Sequence, residues 1–426
     1  MQFSTSSSGR GVQLLCWSSV ALDGFDLIAL AVVFPVLLKG NVWGLTAATA
    51  SVIAMIGLVG MTVGAIVVGS VAERIGPAKA LVASVACFSV FTLLSAAAPS
   101  AILFTILRFL AGVGLGGCMP IAVAIVAAHR AGQGKSSSAT TTLMTGYNVG
   151  AVLCALLGMF LIPWLGWQSM FVAGALPALV LVPLMIRYLS DPDAQGTPAV
   201  PVARSGRASR ATISGLFRGV QLRATLAFWI ATFMGLLLIY GLNTWLPEIM
   251  RAAGYSVGNS LAFLLTLNLG AILGYLLGGR FADRGGVRRT TIGWFAGAAI
   301  FLAVFALPLP EPILYAALFL AGFFVFSSQA LTYAYTQKVY PNHLRATGVG
   351  WTAGVGRLGA ICGPLLGGVL LTAGIAYPWG FYVFAIVGVL GAAAAWIVPA
   401  QTPQQHEATD DLPVAIDLTP RGSGTV

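Results

Sequence analysis

The feature that most constrains this chain is its succession of long apolar stretches, separated only by short polar segments. Apolar residues make up 58% of the 426 residues and charged residues only 8%, whereas an ordinary soluble domain has about 25% charged residues. Apolar stretches of about 20 residues are long enough to cross a bilayer as helices. Barrel strands would instead alternate over ~10 residues, a pattern that is absent. The sequence therefore predicts an all-α membrane protein.

Twelve apolar stretches follow one another along the chain, and each is predicted to form one transmembrane helix. They lie near residues 14–38, 46–71, 79–98, 101–128, 138–163 and 167–187, and then near 223–246, 258–282, 290–307, 312–338, 345–372 and 377–399. This division predicts two six-helix halves, at 14–187 and 223–399, joined by a polar linker at 188–222. Residues 1–13 and 400–426 are predicted to be polar tails.

Positive charge is unevenly divided between the two sets of predicted loops. One set holds Arg74, Lys79, Arg130, Lys135, Arg204, Arg207, Arg210, Arg284, Arg288, Arg289, Lys338 and Arg345. The opposite set holds only Lys39 and Arg251. Because Lys and Arg are enriched in cytoplasmic loops, both termini are predicted to face the cytoplasm. The same distribution accounts for the net charge of +10 without nucleic-acid binding.

One loop motif occurs twice, at the same place in each predicted half. Its residues are Gly69, Glu73, Arg74 and Gly76 after the second span, and Gly279, Asp283, Arg284 and Gly286 after the eighth. The repeat indicates a duplicated six-helix unit, as in carriers whose halves rock about a central site. The glycines are expected to allow close helix approach, and the acid–Arg pairs to hold the cytoplasmic ends together as a gate. The alternative is a plain turn with a surface ion pair, worth ~0–1 kcal/mol, but occurrence in both halves favours the gate.

Four charged residues lie well inside predicted spans: Asp23 and Asp26 in the first, Arg108 in the fourth and Arg357 in the eleventh. Each ionised group at the bilayer centre costs ~2.5–3.5 kcal/mol, so such residues normally face a bundle interior or a watery cavity. Two buried salt bridges that hold helices together are the alternative, although apolar replacements are often as stable. The four charges therefore predict a functional site.

The spacing of these charges suggests their roles. Asp23 and Asp26 are three residues apart and share a helix face, so both do not ionise easily in a low dielectric, as suits a proton-carrying pair. Gly24 between them lets a neighbouring helix or a ligand approach closely. Arg357 stands among glycines that leave room for its planar fork, which suits bidentate carboxylate binding. Arg108 is expected to assist that binding or to be the counter-charge of the aspartates.

Polar and aromatic side chains inside other spans complete the predicted site. They are Tyr147 and Asn148 in the fifth span, Tyr240 and Asn243 in the seventh, and Ser327, Gln329 and Tyr333 in the tenth. Several could hydrogen-bond a hydroxyl group or stack on a ring, although each one alone is more often a packing residue. The three histidines and five scattered cysteines form no nucleophile motif or metal cluster, so no catalytic residue, metal or cofactor is expected.

The repeated loop motif resembles that of the major facilitator superfamily, and Asp23-Gly24-Phe25-Asp26 resembles the first-span signature of its aromatic acid:proton symporter family. Further matches are Arg108 to Gly117 with Pro120, Tyr340-Pro341 with Arg345 to Gly348, Gly356-Arg357 and Gly363-Pro364. The resemblance covers about residues 14–399. Two departures are Glu73, where the motif usually has Asp, and Pro77-Ala78, which replace part of its basic tail. The first gate is therefore expected to be weaker or differently set.

The resemblance implies a carrier of the bacterial inner membrane that imports benzoate-like acids with protons by alternating access. It assigns proton coupling to Asp23 and Asp26, substrate binding to Arg357, and gating to Glu73 and Asp283. The expected partners are a small aromatic acid, protons and the lipid bilayer, with a monomer as the functional unit.

Two other functions stay open at this point. The same fold could export drugs or metabolites by proton antiport, although an exporter of cationic or neutral compounds would not need an arginine in its cavity. The fifth span also lacks the Gly-Pro pattern associated with antiporters. A membrane sensor that binds aromatic acids without moving them is the third possibility, but the sequence shows no signalling domain.

Overall fold

The computed structural model describes residues 9–130, 136–189, 216–217 and 219–398. Within these ranges every regular element is a helix, and twelve helical spans are long and apolar enough to cross a membrane. The predicted all-α architecture with twelve spans is therefore confirmed. The predicted linker and C-terminal tail fall largely outside the described residues, and the first helix already begins inside the predicted N-terminal tail.

The helices follow the predicted spans closely. In the first half, α1 is Gly9–Lys39, α2 Ala47–Ile75, α3 Pro77–Ser95, α4 Ala101–Arg130, α5 Ser136–Leu165, and α6 Gln168–Ala175 continued by Ala178–Tyr188. In the second half, α7 is Gly219–Ala252, α8 Val257–Gly285, α9 Val287–Phe305, α10 Glu311–Val339, α11 Asn342–Thr372 and α12 Trp379–Ile397.

Helix α7 continues past the predicted end of the seventh span at residue 246 and contains Pro247. Proline removes a backbone hydrogen bond and favours a helix end, but membrane helices tolerate it where neighbouring groups compensate. The extension brings Glu248, which is 4% exposed, inside the helix. Arg251 donates to both of its carboxylate oxygens at 2.7 and 2.6 Å. The sequence analysis did not assign this buried acidic residue, near the end of the helix, to a span.

The two halves repeat the same packing. Helix α1 packs along α5 and α2 along α4, just as α7 packs along α11 and α8 along α10. A single residue separates α2 from α3 and α8 from α9, namely Gly76 with φ 90° and Gly286 with φ 82°. Residues with a side chain rarely adopt this backbone conformation, so both copies of the motif require glycine here. The predicted duplication is therefore visible in the fold.

Glycines bring α1 and α5 together at backbone distance. A Cβ added at Gly24 would overlap the backbone oxygen of Tyr147, and one at Gly150 would overlap that of Ala21. The prediction that Gly24 allows a neighbouring helix to approach is confirmed, and the helix is α5. This contact fixes the part of α1 that carries both aspartates.

The halves meet at one end of the molecule. We call the helix ends next to the Arg-rich loops the inner ends and the opposite ends the outer ends. At the outer ends the rings of Phe34 and Trp245 stack at 5.6 Å, and Gly368 of α11 packs against Ser51 of α2. At the inner ends each half has its own buried cluster. Among the described residues, contacts between the halves thus close the outer ends, whereas the buried clusters near the inner ends belong mainly to one half each.

Candidate functional site

A buried ion pair joins α1 to α4. Arg108 Nη1 donates to both carboxylate oxygens of Asp26, each at 3.2 Å. Both residues are only 3% exposed. A buried charge needs a partner of opposite charge, so each of the two residues stabilises the other in the low-dielectric interior.

Helix α3 supplies the other hydrogen bonds of this ion pair. Thr92 Oγ1 donates to Asp26 Oδ1 at 2.5 Å and accepts from Arg108 Nη2 at 2.9 Å, while Ser95 Oγ accepts from Arg108 Nε at 3.2 Å. The guanidinium carbon of Arg108 also lies 5.0 Å from the ring centroid of Phe171 on α6. The hydrogen-bond partners of Arg108 thus all lie in its own half of the molecule. Of the two roles considered for it, this placement favours the counter-charge of an aspartate over substrate binding.

Asp23 has different surroundings, although it lies only three residues before Asp26. It is 2% exposed, and its Oδ1 has no hydrogen-bond partner among the residues that the structure describes. Its strongest favourable electrostatic interaction is with Arg357 on α11, in the other half. Arg357 is half-buried and forms neither an ion pair nor a hydrogen bond with another described residue. A carboxyl group and a guanidinium therefore oppose each other across the two halves without pairing.

Three half-buried tyrosines from both halves lie near Arg357, and a fourth lies near two of them. Tyr147 of α5, Tyr240 of α7 and Tyr333 of α10 interact electrostatically with Arg357. Tyr275 of α8 interacts with Tyr240 and Tyr333. The structure thus brings Tyr147 and Tyr333 to the predicted site and adds Tyr275. The sequence signal for Tyr275 is a tyrosine in mid-span next to Gly274, whose packing against Phe323 holds α8 close to α10.

The predicted amide residues lie near the tyrosines along their helices. Asn148 is 1% exposed, and neither of its amide atoms has a partner among the described residues. Gln329 is 4% exposed and lies one turn before Tyr333 on α10. Asn243 accepts a hydrogen bond of 3.2 Å from Asn268 of α8. The sequence analysis missed Asn268, although an asparagine inside the apolar run Leu267-Asn268-Leu269 is a recognisable signal. Ser327 bonds only to its own helix.

The glycines beside Arg357 have a different role from the one predicted. Gly356 packs against Thr232 and Gly359 against the backbone of Phe233, both on α7. The prediction that these glycines leave room for the arginine fork is therefore wrong for these two positions. They instead let α11 approach α7, and this approach positions Arg357 beside Tyr240.

The repeated motif is exposed at the inner ends. Arg74, Asp283 and Arg284 are exposed, and none of them forms an ion pair within the described part of the chain. A Cβ added at Gly69 or Gly279 would meet no described atom within 4 Å. The expected helix contacts at these glycines are therefore absent from the part of the chain that the structure describes. The side chain of Glu73 lies outside the described residues, and the gating role of the motif stays a prediction.

Two repeated six-helix bundles with opposed charges at their centre define a multi-pass membrane transporter. Comparison with protein families agrees: the profile of the Major Facilitator Superfamily matches residues 16–361 and 269–416. The chain belongs to this superfamily.

Three comparisons place the chain within its relatives. It is 32% identical to the benzoate transport protein of Acinetobacter baylyi, over 94% of this chain and 91% of that one. It is 35% identical to the gentisate transporter of Corynebacterium glutamicum, over 91% and 87% of the two chains. A crystal structure of a D-xylose–proton symporter superposes with a TM-score of 0.74 at 18% identity, over 92% and 98% of the two chains, and bears on the fold alone. The family resemblance drawn from the motifs is confirmed, and the relatives, being transporters, fit the expectation of a protein that is not an enzyme.

Proposed function

We propose that the protein imports a small aromatic carboxylate together with protons, by alternating access, across the bacterial cytoplasmic membrane. Both termini lie in the cytoplasm, as the division of Lys and Arg between the loops supports. The relatives named for benzoate and gentisate transport support the substrate class. The observation that carries the proposal is the unpaired Arg357 on α11, opposite Asp23 on α1.

Arg357 binds the substrate carboxylate. Its planar guanidinium presents two parallel N–H donors that match the two oxygens of a carboxylate. Tyr147, Tyr240 and Tyr333 stand around it and offer aromatic faces to the substrate ring and hydroxyl groups to its edge. A site lined in this way favours an aromatic monoanion over a cationic or aliphatic compound.

Asp23 carries the proton, and Asp26 serves as a fixed charge. An ionised buried carboxylate without a hydrogen-bond partner is costly, and protonation removes that cost. Asp26 already has Arg108 and Thr92 as partners, which hold its charge in place. Binding of a carboxylate beside Asp23 is thereby coupled to binding of the proton, because two neighbouring negative charges repel each other.

Transport follows from the repeated fold. In the described conformation the outer ends are closed by the contacts of Phe34 with Trp245 and of Ser51 with Gly368. Rocking of the halves would part these contacts and bring the two loop motifs together at the inner ends. The central site would then open to the other side of the membrane.

The test is uptake of radiolabelled benzoate, 4-hydroxybenzoate, protocatechuate and gentisate into proteoliposomes, with and without an inward proton gradient. Arg357→Lys keeps the charge but loses the fork, and Asp23→Asn keeps the shape but loses the titrating group. We expect gradient-driven accumulation of at least one acid, its loss in both variants, and no change in the exposed control Arg187→Lys. Wild-type vesicles that accumulate no acid but extrude cationic compounds would support the exporter instead.

A further inference from the structure

A buried pair of amides joins α7 to α8 in the second half. Asn268 is 0% and Asn243 3% exposed. Asn268 Nδ2 donates to Asn243 Oδ1 at 3.2 Å and to the backbone oxygen of Leu264 at 3.0 Å. Asn243 Nδ2 and Asn268 Oδ1 are left without a partner among the described residues. One amide thus has free N–H donors and its neighbour a free acceptor oxygen.

These two open positions need an explanation, because nearly all buried polar atoms in folded proteins have a hydrogen-bond partner. A pair that served only to hold α7 and α8 together would not need a free donor and a free acceptor side by side. Leucine at both positions would pack in the same apolar surroundings without leaving polar atoms unpaired. The arrangement is that of a site for a group that completes both hydrogen bonds.

The chemistry of the open positions selects a hydroxyl group. A hydroxyl donates one hydrogen bond and accepts others, so it can donate to Asn268 Oδ1 while it accepts from Asn243 Nδ2. A carboxylate has no hydrogen to donate to Asn268 Oδ1. An unsubstituted ring edge can form neither hydrogen bond.

The amide pair continues the tyrosine cluster towards the outer ends. Asn243 is three residues after Tyr240 on α7, and Asn268 is seven residues before Tyr275 on α8, so each lies on the same helix face as its tyrosine. The carboxylate and the ring hydroxyl of a hydroxybenzoate are separated by about one helical turn, ~5.4 Å. An acid held by Arg357 near Tyr240 can therefore direct its ring substituent at the amides.

We propose that Asn243 and Asn268 form a subsite that binds a ring hydroxyl and makes the protein prefer hydroxylated benzoates to benzoate. This inference rests on the proposed function, because it takes the carboxylate to be held by Arg357. The subsite explains why two amides lie in an apolar part of the bundle with complementary atoms unpaired.

The experiment measures equilibrium binding of benzoate, 3-hydroxybenzoate and 4-hydroxybenzoate to the purified full-length protein by calorimetry. Asn268→Leu removes both polar atoms at nearly constant size, and Asn243→Ala removes the other partner. In both variants we expect the preference for the better hydroxybenzoate over benzoate to fall about 10-fold, as the loss of one or two hydrogen bonds predicts, with benzoate affinity nearly unchanged. Asn259→Leu, at an exposed position of α8, should leave the preference intact.

The other outcomes overturn the subsite in distinguishable ways. One such outcome is that benzoate and the hydroxybenzoates all bind, and that Asn268→Leu and Asn243→Ala keep the wild-type preference for hydroxybenzoates. The amide pair then holds a water molecule, and the proposed function is unaffected. If both variants lose all acids alike and melt at a lower temperature, the pair is structural. If the wild-type protein binds no aromatic acid, or Arg357→Ala binds benzoate as wild type does, the proposed function fails and the subsite with it.

Discussion

The two arginines of the membrane interior differ in their partners, although each stands in a glycine-rich helix. Arg108 is bound by Asp26, Thr92 and Ser95, whereas Arg357 has no hydrogen-bond or ion-pair partner in the described ranges. A fully paired buried charge holds a structure in place, while an unpaired one is available to a ligand. The same residue type therefore stabilises the protein at one position, and at the other it has the free donors to which the proposed function assigns substrate binding.

This difference predicts opposite results for one substitution at two sites. Arg108→Met leaves Asp26 buried without its counter-charge and should lower the free energy of unfolding by about 3–5 kcal/mol. Arg357→Met breaks no pair and should leave stability nearly unchanged while abolishing uptake of the aromatic acid. Thermal unfolding in detergent and proteoliposome uptake measure the two effects. The double variant Asp26→Leu/Arg108→Met should recover much of the stability lost by Arg108→Met, and its failure to do so would contradict the pairing argument.

Part of this site could be predicted from residue types alone. Charged residues are rare inside apolar stretches. The sequence alone therefore indicates four site residues, which are Asp23, Asp26, Arg108 and Arg357. Their pairing could not be predicted, because it depends on which helices are neighbours and on the phase of each helix. Thr92 and Ser95 accept hydrogen bonds from Arg108 and so complete its pairing. In the sequence, however, they look like ordinary small residues of a span.

The helices of the first half depend on glycines at specific crossing points. A Cβ at Gly150 would overlap the backbone of Ala21 on α1, whereas one at Gly350 on α11 would meet nothing within 4 Å among the described atoms. The same chemical change therefore has different consequences at the two positions. Glycine patterns in a sequence indicate close packing, but the structure is needed to show which helix each glycine meets.

Gly150→Ala should lower the free energy of unfolding by about 1–3 kcal/mol, because it forces α1 and α5 apart. Gly350→Ala should raise it by about 0.5–1 kcal/mol, because alanine favours a helix where nothing obstructs it. Thermal unfolding of both variants in the same detergent gives the comparison. Equal shifts in the two variants would show that close packing of α1 on α5 contributes little to stability.

On the scale of the whole molecule, the two loop motifs and the outer contacts occupy opposite ends of the same two bodies. The duplication could be predicted from the motifs at 69–76 and 279–286, and the paired one-residue turns at Gly76 and Gly286 confirm it. Which end is closed could not be predicted, because the proposed alternating access requires the same sequence to support two arrangements. The exposed motif and the packed outer ends describe one of these arrangements.

Gly368 provides a way to shift the balance between the two arrangements. Its Cα packs against Ser51, so Gly368→Leu places a side chain where the outer ends of α2 and α11 must meet. The closed outer arrangement is then disfavoured, and the population should move towards the one in which the inner ends meet. Hydrogen exchange followed by mass spectrometry should show faster exchange at the outer ends of α2 and α11, and slower exchange around Gly76 and Gly286.

Gly279→Leu is the matched opposite of this change. The position is open in the described conformation, so leucine fits there, but it obstructs approach of the inner ends. This variant should keep the exchange pattern of the wild type and lose uptake, because a carrier held in one arrangement cannot return its site to the outside. If Gly279→Leu instead transports normally, the inner ends do not close at this motif. The rocking of two halves would then have to bring other residues together.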